Sequence, residues 1–252
     1  MTQSFVATGQ TFMTADQDDR LIVTIDGPAG TGKSSVARRL ARVLGLEFLD
    51  TGSMYRAAAA LALDRQISLD EEITIAGLVA DANLHFIWNV DPPQLHAFGQ
   101  SIMGRIRDED VTKSVSAVAG LRHVRAQMVD SQRRIGENHP RLVTEGRDQG
   151  SVVFPDALVK FYLDATPRVR AKRRAEQLIE AGRDADIDAI EREIIARDEQ
   201  DSTRAIAPLV CPDDAISIDT TNKTLDEVVD ELAEIVRERA GANLDAMTGR
   251  RD

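Results

Sequence analysis

A chain of 252 residues with 42% hydrophobic but only 4% aromatic content is long enough for one large α/β domain, or a core with a small insert. Its interior must be built from Val, Ile, Leu and Ala, which suits a buried parallel sheet between helices. The formal charge of −11 excludes a general nucleic-acid binder, which needs a cationic surface, and no apolar run reaches the length of a membrane span. In chain order, residues 1–20 lack the charged start and long apolar run of a signal peptide and read as a polar, flexible arm. The run LIVTIDG at 21–27 is the strongest strand candidate, β-branched and ending on glycine. A helix is predicted from about Gly32 to Leu44, with Val36, Leu40, Val43 and Leu44 on one apolar face. The short strand EFLD at 47–50 follows, and then a helix through MYRAAAALALDRQ. Residues 70–120 break the strand–helix rhythm with short β-like pieces and a Pro-Pro turn, and helix is predicted through about 110–137. We read 70–120 as an insert between the second and third core strands. Further strands are expected at 141–145, 159–164 and 215–219, with helices near 168–181, 186–204 and 224–240. The whole predicts an α/β fold over 21–240, a five-stranded parallel sheet flanked by helices, with a frayed tail at 241–252. The lone cysteine, Cys211, excludes an internal disulfide framework and fits a reducing, cytoplasmic setting.

The segment Gly27-Pro28-Ala29-Gly30-Thr31-Gly32-Lys33-Ser34 fits G-x-x-x-x-G-K-[ST] at every fixed position, with an apolar strand before it and an amphipathic helix after it. Glycines let the backbone wrap close to phosphate oxygens, so that amide N–H groups converge on the anion beside a helix N-terminus. Lys33 should reach the β- and γ-phosphates and the Ser34 hydroxyl should ligate Mg²⁺, with Ser35 counted in the same ATP-binding set. The pattern predicts a P-loop core that binds a nucleoside triphosphate, but not what is done with it. Asp26, just before the loop, could hold a metal-bound water or pair with Lys33. Asp164, ending another apolar strand, resembles a second acid on the metal side, although strand-end aspartates are common turn residues.

Of the 31 basic residues only 5 are lysine, and arginine presents a planar fork that matches phosphate oxygens bidentately. Arg170, Arg173 and Arg174 stand at i, i+3 and i+4, and Arg197, Asp201 and Arg204 at i, i+4 and i+7, each set on one helix face. Either set could be a solvated, salt-bridged surface. One acid between two arginines also suits a sugar hydroxyl beside a phosphate. Arg56 and Arg147 occupy loop-like positions near strand ends, where ligands bind in open α/β sheets.

The stretches TIDGPAGTGKSS (24–35), FLDTGSMYR (48–56), SAVAGLRHVR (116–125), EGRDQGSVVFPDA (145–157), DATPRVRAKRR (164–174) and ARDEQDSTRAIAPL (196–209) together resemble the bacterial cytidylate kinases. The resemblance implies transfer of the ATP γ-phosphoryl group to CMP and also dCMP, with Mg²⁺. Charge and hydropathy point to small nucleotides rather than nucleic acid or membrane as partners, and no exposed apolar stripe or heptad demands a second copy, so a monomer is expected. The resemblance also implies that the insert clamps the monophosphate and that a short mobile lid spans about 168–190. It assigns the acceptor phosphate to Arg56, Arg147 and Arg204, the sugar to Arg197 and Asp201 with Thr51 nearby, and the cytosine edge to Ser116, Arg125 and Asp148. Arg170, Arg173 and Arg174 would cover the ATP phosphates. Cytosine's amine is a donor that a carboxylate accepts, and its ring nitrogen and carbonyl suit a guanidinium. The chain departs from the family pattern at Arg122, at Gln149 and loosely over 88–106. The rival readings are another small-acceptor P-loop kinase, for UMP, AMP or shikimate, and a nucleotide-binding regulator.

Overall fold

The computed structural model describes residues 20–241, so the arm expected at 1–20 and the tail expected at 241–252 lie outside it save for Arg20 and Gly241. In chain order the elements are β1 (Leu21–Asp26), α1 (Lys33–Leu44), β2 (Glu47–Asp50), α2 (Thr51–Asp64) and α3 (Glu72–Ala82). Next come β3 (His85–Ile87), β4 (Gln94–Ala97), β5 (Gln100–Ser101), α4 (Glu109–Gly120) and α5 (Arg122–Asn138). The chain continues through β6 (Arg141–Glu145), one π-helical turn (Gln149–Val153), β7 (Val159–Asp164), α6 (Pro167–Glu180), α7 (Ile187–Thr203), β8 (Ile216–Asp219) and α8 (Leu225–Ala240).

The predicted five-stranded parallel sheet is present, in the order β2-β6-β1-β7-β8. All six residues of β1 are buried, because helices cover both faces of a central parallel strand. Leu21, Val23 and Ile25 pack with α1 and α8 in one cluster, while Leu49 and Leu142 pack with α2, α3, α4 and α5 in another. Parallel register sets Asp50 beside Glu145 and Ile25 beside Glu145. The segments after β1, β2 and β6 therefore leave the sheet on one edge, and every candidate acid and base near those strand ends converges there. The insert holds α3, a small antiparallel sheet β3-β4-β5, and α4. The helices α6 and α7 share a small cluster of their own, Ala171, Ala175, Ile190 and Ile194.

Three local expectations differ. The helix predicted through 110–137 is two helices, parted where Leu121 adopts extended backbone (ψ 123°). The Glu72 carboxylate of α3 then accepts the His123 N–H at 2.5 Å and caps α5 from outside, so Arg122 takes the first helical position. Val43 is 44% exposed; Ala37 and Ala41 fill the buried face of α1 instead, small residues whose apolar signal is faint. The second helix starts at Thr51 rather than Met54, because the Asp50 side chain accepts the Ser53 N–H at 3.0 Å as an N-cap. Arg56 accordingly stands on a helix, not in a loop. Among the described residues no helix is long and apolar enough to cross a membrane.

Candidate functional site

The glycine loop leaves β1 through Gly27, whose φ is +143°. A Cβ there would lie 2.0 Å from the Leu163 carbonyl oxygen, so only glycine lets the loop pass this close to β7. Beyond it the loop's carbonyl groups are held by side chains. Pro28 O accepts from Lys33 Nζ at 2.7 Å, Ala29 O from Arg170 at 3.0 Å, and Thr31 O from Arg173 at 3.3 Å. A carbonyl and the next N–H point opposite ways in a planar trans peptide. Pinning Ala29 O and Thr31 O on α6 therefore turns the Gly30 and Gly32 N–H groups away from α6, at the N-terminus of α1, where an anion is favoured. Arg170 is buried, Arg173 half-buried and Arg174 exposed. Lys33 is itself buried, and desolvation, reinforced by Arg147, lowers its ammonium pKa to about 7.

Asp26 does not form an ion pair with Lys33, whose ammonium donates to Pro28 O instead. Its two carboxylate oxygens accept the N–H groups of Gln149 and Gly150 at 2.9 and 2.7 Å, tying the turn after Arg147-Asp148 to the end of β1. Burial lifts this carboxyl to about 7 despite those two donors. Asp164 is exposed and accepts the neighbouring Ala165 N–H at 2.8 Å, as a turn residue does. Ser34 donates to Glu145 at 2.7 Å. Beside Glu145 lies Asp50, whose carboxyl is pushed up to about 7 by burial and by the Glu145 charge. Sequence reasoning singled out neither acid, although both end strands of the sheet. Two crowded carboxylates and a hydroxyl offer the hard oxygen donors that Mg²⁺ prefers. The described residues contain no group of three or more His, Cys, Asp or Glu placed to hold a metal ion.

The arginines expected to hold the acceptor lie close enough to repel one another. Arg56 donates to Thr112 Oγ1 at 3.1 Å, linking α2 to the insert. Arg147 pairs with Asp201 at 3.0 Å. Arg204 donates to Ala207 O at 2.5 Å, while its second terminal nitrogen and the Arg197 Nε are buried without a hydrogen-bond partner. Burial lowers the pKa of Arg56, Arg197 and Arg204, and repulsion from Arg147 adds to each; Arg197 falls to about 10. Burial alone would raise the Asp201 carboxyl, but Arg147 and Arg197 hold it below the usual range. A cluster of cations that disfavour one another, with donors left unsatisfied, is relieved by a polyanion.

At the far end Arg125 and Asp148 form a buried ion pair, 3% and 2% exposed. A second Arg125 nitrogen donates to Ala119 O at 3.2 Å, and the guanidinium stands 5.5 Å from the Tyr55 ring centroid. Ser116 is half-buried on α4. The Thr51 hydroxyl is engaged on Glu145 O at 2.6 Å and fixes the start of α2 to the end of β6. Gln149, fully buried, accepts from Thr144 at 2.9 Å and donates to Gln132 Oε1 at 3.1 Å, directly behind the Arg147-Asp148 turn. Gln149→Leu should cost about 1–3 kcal/mol by stranding these partners, seen as a lower urea midpoint. Adding Gln132→Leu should recover part of the loss, because two apolar partners leave fewer buried groups unpaired.

The family model for cytidylate kinase matches residues 23–238. The cytidylate kinase of Nocardia farcinica is 43% identical over 88% of this chain and 96% of its own. That of Mycobacterium leprae is 41% identical over 88% and 98%, and that of Rhodococcus opacus 44% over 88% and 96%. Matches of this extent run from the first core strand into the last helix, and they include every strand end that builds the site. By these measures the chain belongs to the cytidylate kinase family.

Proposed function

We propose that the chain transfers the γ-phosphoryl group of ATP to CMP, and also to dCMP, giving ADP and the corresponding diphosphate. The observation that carries this reading is the gathering of Arg56, Arg147, Arg197 and Arg204 with Lys33 next to a glycine loop, several of them destabilised by burial and by one another. The loop from Gly27 to Ser35 holds the triphosphate, with Lys33 on its β- and γ-phosphates. Arg56, Arg147 and Arg204 hold the acceptor's phosphate in line with it. Arg197 and Asp201 hold the sugar, with Thr51 fixing the helix beneath, and Ser116, Arg125 and Asp148 read the base. Ser34, with Glu145 and Asp50 behind it, would hold Mg²⁺, which supplies neutralisation of the phosphate charge when bound. Arg170, Arg173 and Arg174 bring the lid side of the site to the donor. The acceptor phosphate is anionic at neutral pH, so the reaction needs positioning and charge neutralisation rather than a general base. The lid formed by α6 and α7 keeps water, a competing acceptor, from the migrating group.

A coupled assay with ATP and Mg²⁺ across CMP, dCMP, UMP, AMP and shikimate tests the assignment. Turnover is expected with CMP and dCMP. Failure of CMP while another acceptor reacts would falsify the cytosine reading.

A further inference from the structure

The helix that carries Arg197 and Asp201 also carries Asp198, whose side chain reaches the donor half of the site. Its Oδ2 lies 2.6 Å from a terminal nitrogen of Arg170, and that same nitrogen donates to Ala29 O. The Arg170 Nε donates to Ala165 O at 2.8 Å, which fixes the plane of the guanidinium. Arg170 is 3% exposed. A cation so deeply buried needs a counter-charge, and Asp198 provides it. The stem of Arg170 also lies against the loop, since a Cβ on Gly30 would stand 3.1 Å from its own Cβ. One guanidinium thus joins α7 to the peptide whose Gly30 N–H faces the donor.

The cluster shared by α6 and α7 lies apart from the two large cores, so the helix pair can shift as a unit against the sheet. Asp198 Oδ1 is buried without a hydrogen-bond partner, as is Nε of the adjacent Arg197. This turn of α7 therefore has two hydrogen bonds to gain when an acceptor draws it inward.

We propose that Asp198 is a positioning residue that couples the two substrate sites. Acceptor binding on Arg197 and Asp201 sets Asp198, Asp198 sets Arg170, and Arg170 sets the Ala29–Gly30 peptide that receives the triphosphate. The inference rests on the assignment of ATP and CMP proposed above. It requires that each ligand tighten the other by the same factor.

Calorimetric titration of a non-hydrolysable ATP analogue, with and without saturating CMP, reads that factor directly. The unmodified protein should show roughly 5-fold tightening or more, and Asp198→Asn, which keeps the shape and removes the charge, should bring it within about twofold of unity. Arg170→Lys keeps a buried cation opposite Asp198 but lacks the fork that holds two acceptors in one plane. It should lose the factor too, and it decides the matter if Asp198→Asn fails to fold. Retention of the full factor in either folded variant overturns the proposal, as does an unmodified protein that binds both ligands without any tightening. If the unmodified protein fails to bind CMP or the analogue at all, the substrate assignment falls, and the coupling falls with it.

Discussion

Lys33→Ala should lower turnover roughly a thousand-fold, the scale set by removing one preorganised charge from a phosphoryl-transfer site, while the protein stays folded. The asymmetry follows from where the side chain sits. Its ammonium is buried, and desolvation with Arg147 nearby lowers its pKa to about 7, so the folded state gains little from holding it there. Its one hydrogen bond, to Pro28 O at 2.7 Å, lies within the loop and ties no two elements together. In the transition state proposed here the situation reverses, because the β- and γ-phosphate oxygens would accumulate charge within reach of the ammonium, in a site closed to water. Steady-state kinetics and a thermal melt on the same preparation check both halves. Near-normal turnover would remove Lys33 from the mechanism, whereas lost activity together with a lost melting transition would make its role structural.

Much of the arrangement proposed as the site is legible in the sequence, for identifiable reasons. The glycine loop could be read because its geometry demands glycine at Gly27 and a left-handed Gly30 and Gly32, and a requirement of that kind leaves a fixed pattern. Arg197 and Asp201 could be read because helical spacing projects directly onto one face, whereas Arg204, expected on that same face, caps the end of α7 in extended backbone (ψ 142°) and owes its place to the turn that follows. What stayed hidden depends on contacts between distant segments. Nothing local in Asp26 says that it accepts the N–H groups of Gln149 and Gly150, more than 120 residues away along the chain. The pairing of Asp50 with Glu145 arises only from the register of β2 on β6. Nothing local sets Asp198 apart from the other acids of α7, because its partner, Arg170, comes from another helix.

The fold shows the same division. The core strands could be placed because they are apolar and short, and their parallel direction followed from the helices between them, whereas the order β2-β6-β1-β7-β8 is seen only in the structure. Helix ends were less legible where the cap comes from elsewhere, as Glu72 does for α5. Where the capping group is adjacent, as Asp50 is for α2, the signal was present in DTGS but was outweighed by the stronger alanine-rich run that follows it.

The second large effect is expected at Asp148. Its carboxylate and the Arg125 guanidinium are both almost wholly buried, so each relies on the other and, in the proposed site, on the base. A cytosine presents an amine donor to the carboxylate and two acceptors to the guanidinium, whereas a uracil presents an oxygen where the amine would be. The carboxylate has no proton to offer that oxygen, and a buried acceptor facing another acceptor costs several kcal/mol. Asp148→Asn changes this logic, since its amide can donate to uracil or accept from cytosine by rotating. The kcat/KM for CMP should fall about 100-fold or more, and the preference for CMP over UMP should shrink toward parity. Removing one partner of a buried pair also destabilises the protein, by about 3–5 kcal/mol, and that loss lowers the folded fraction for every substrate alike. The ratio of the two kcat/KM values is untouched by it, which makes the ratio the measurement to take. An unchanged preference in a variant with reduced stability would show that Asp148 holds Arg125 in place and leaves the reading of the base to others.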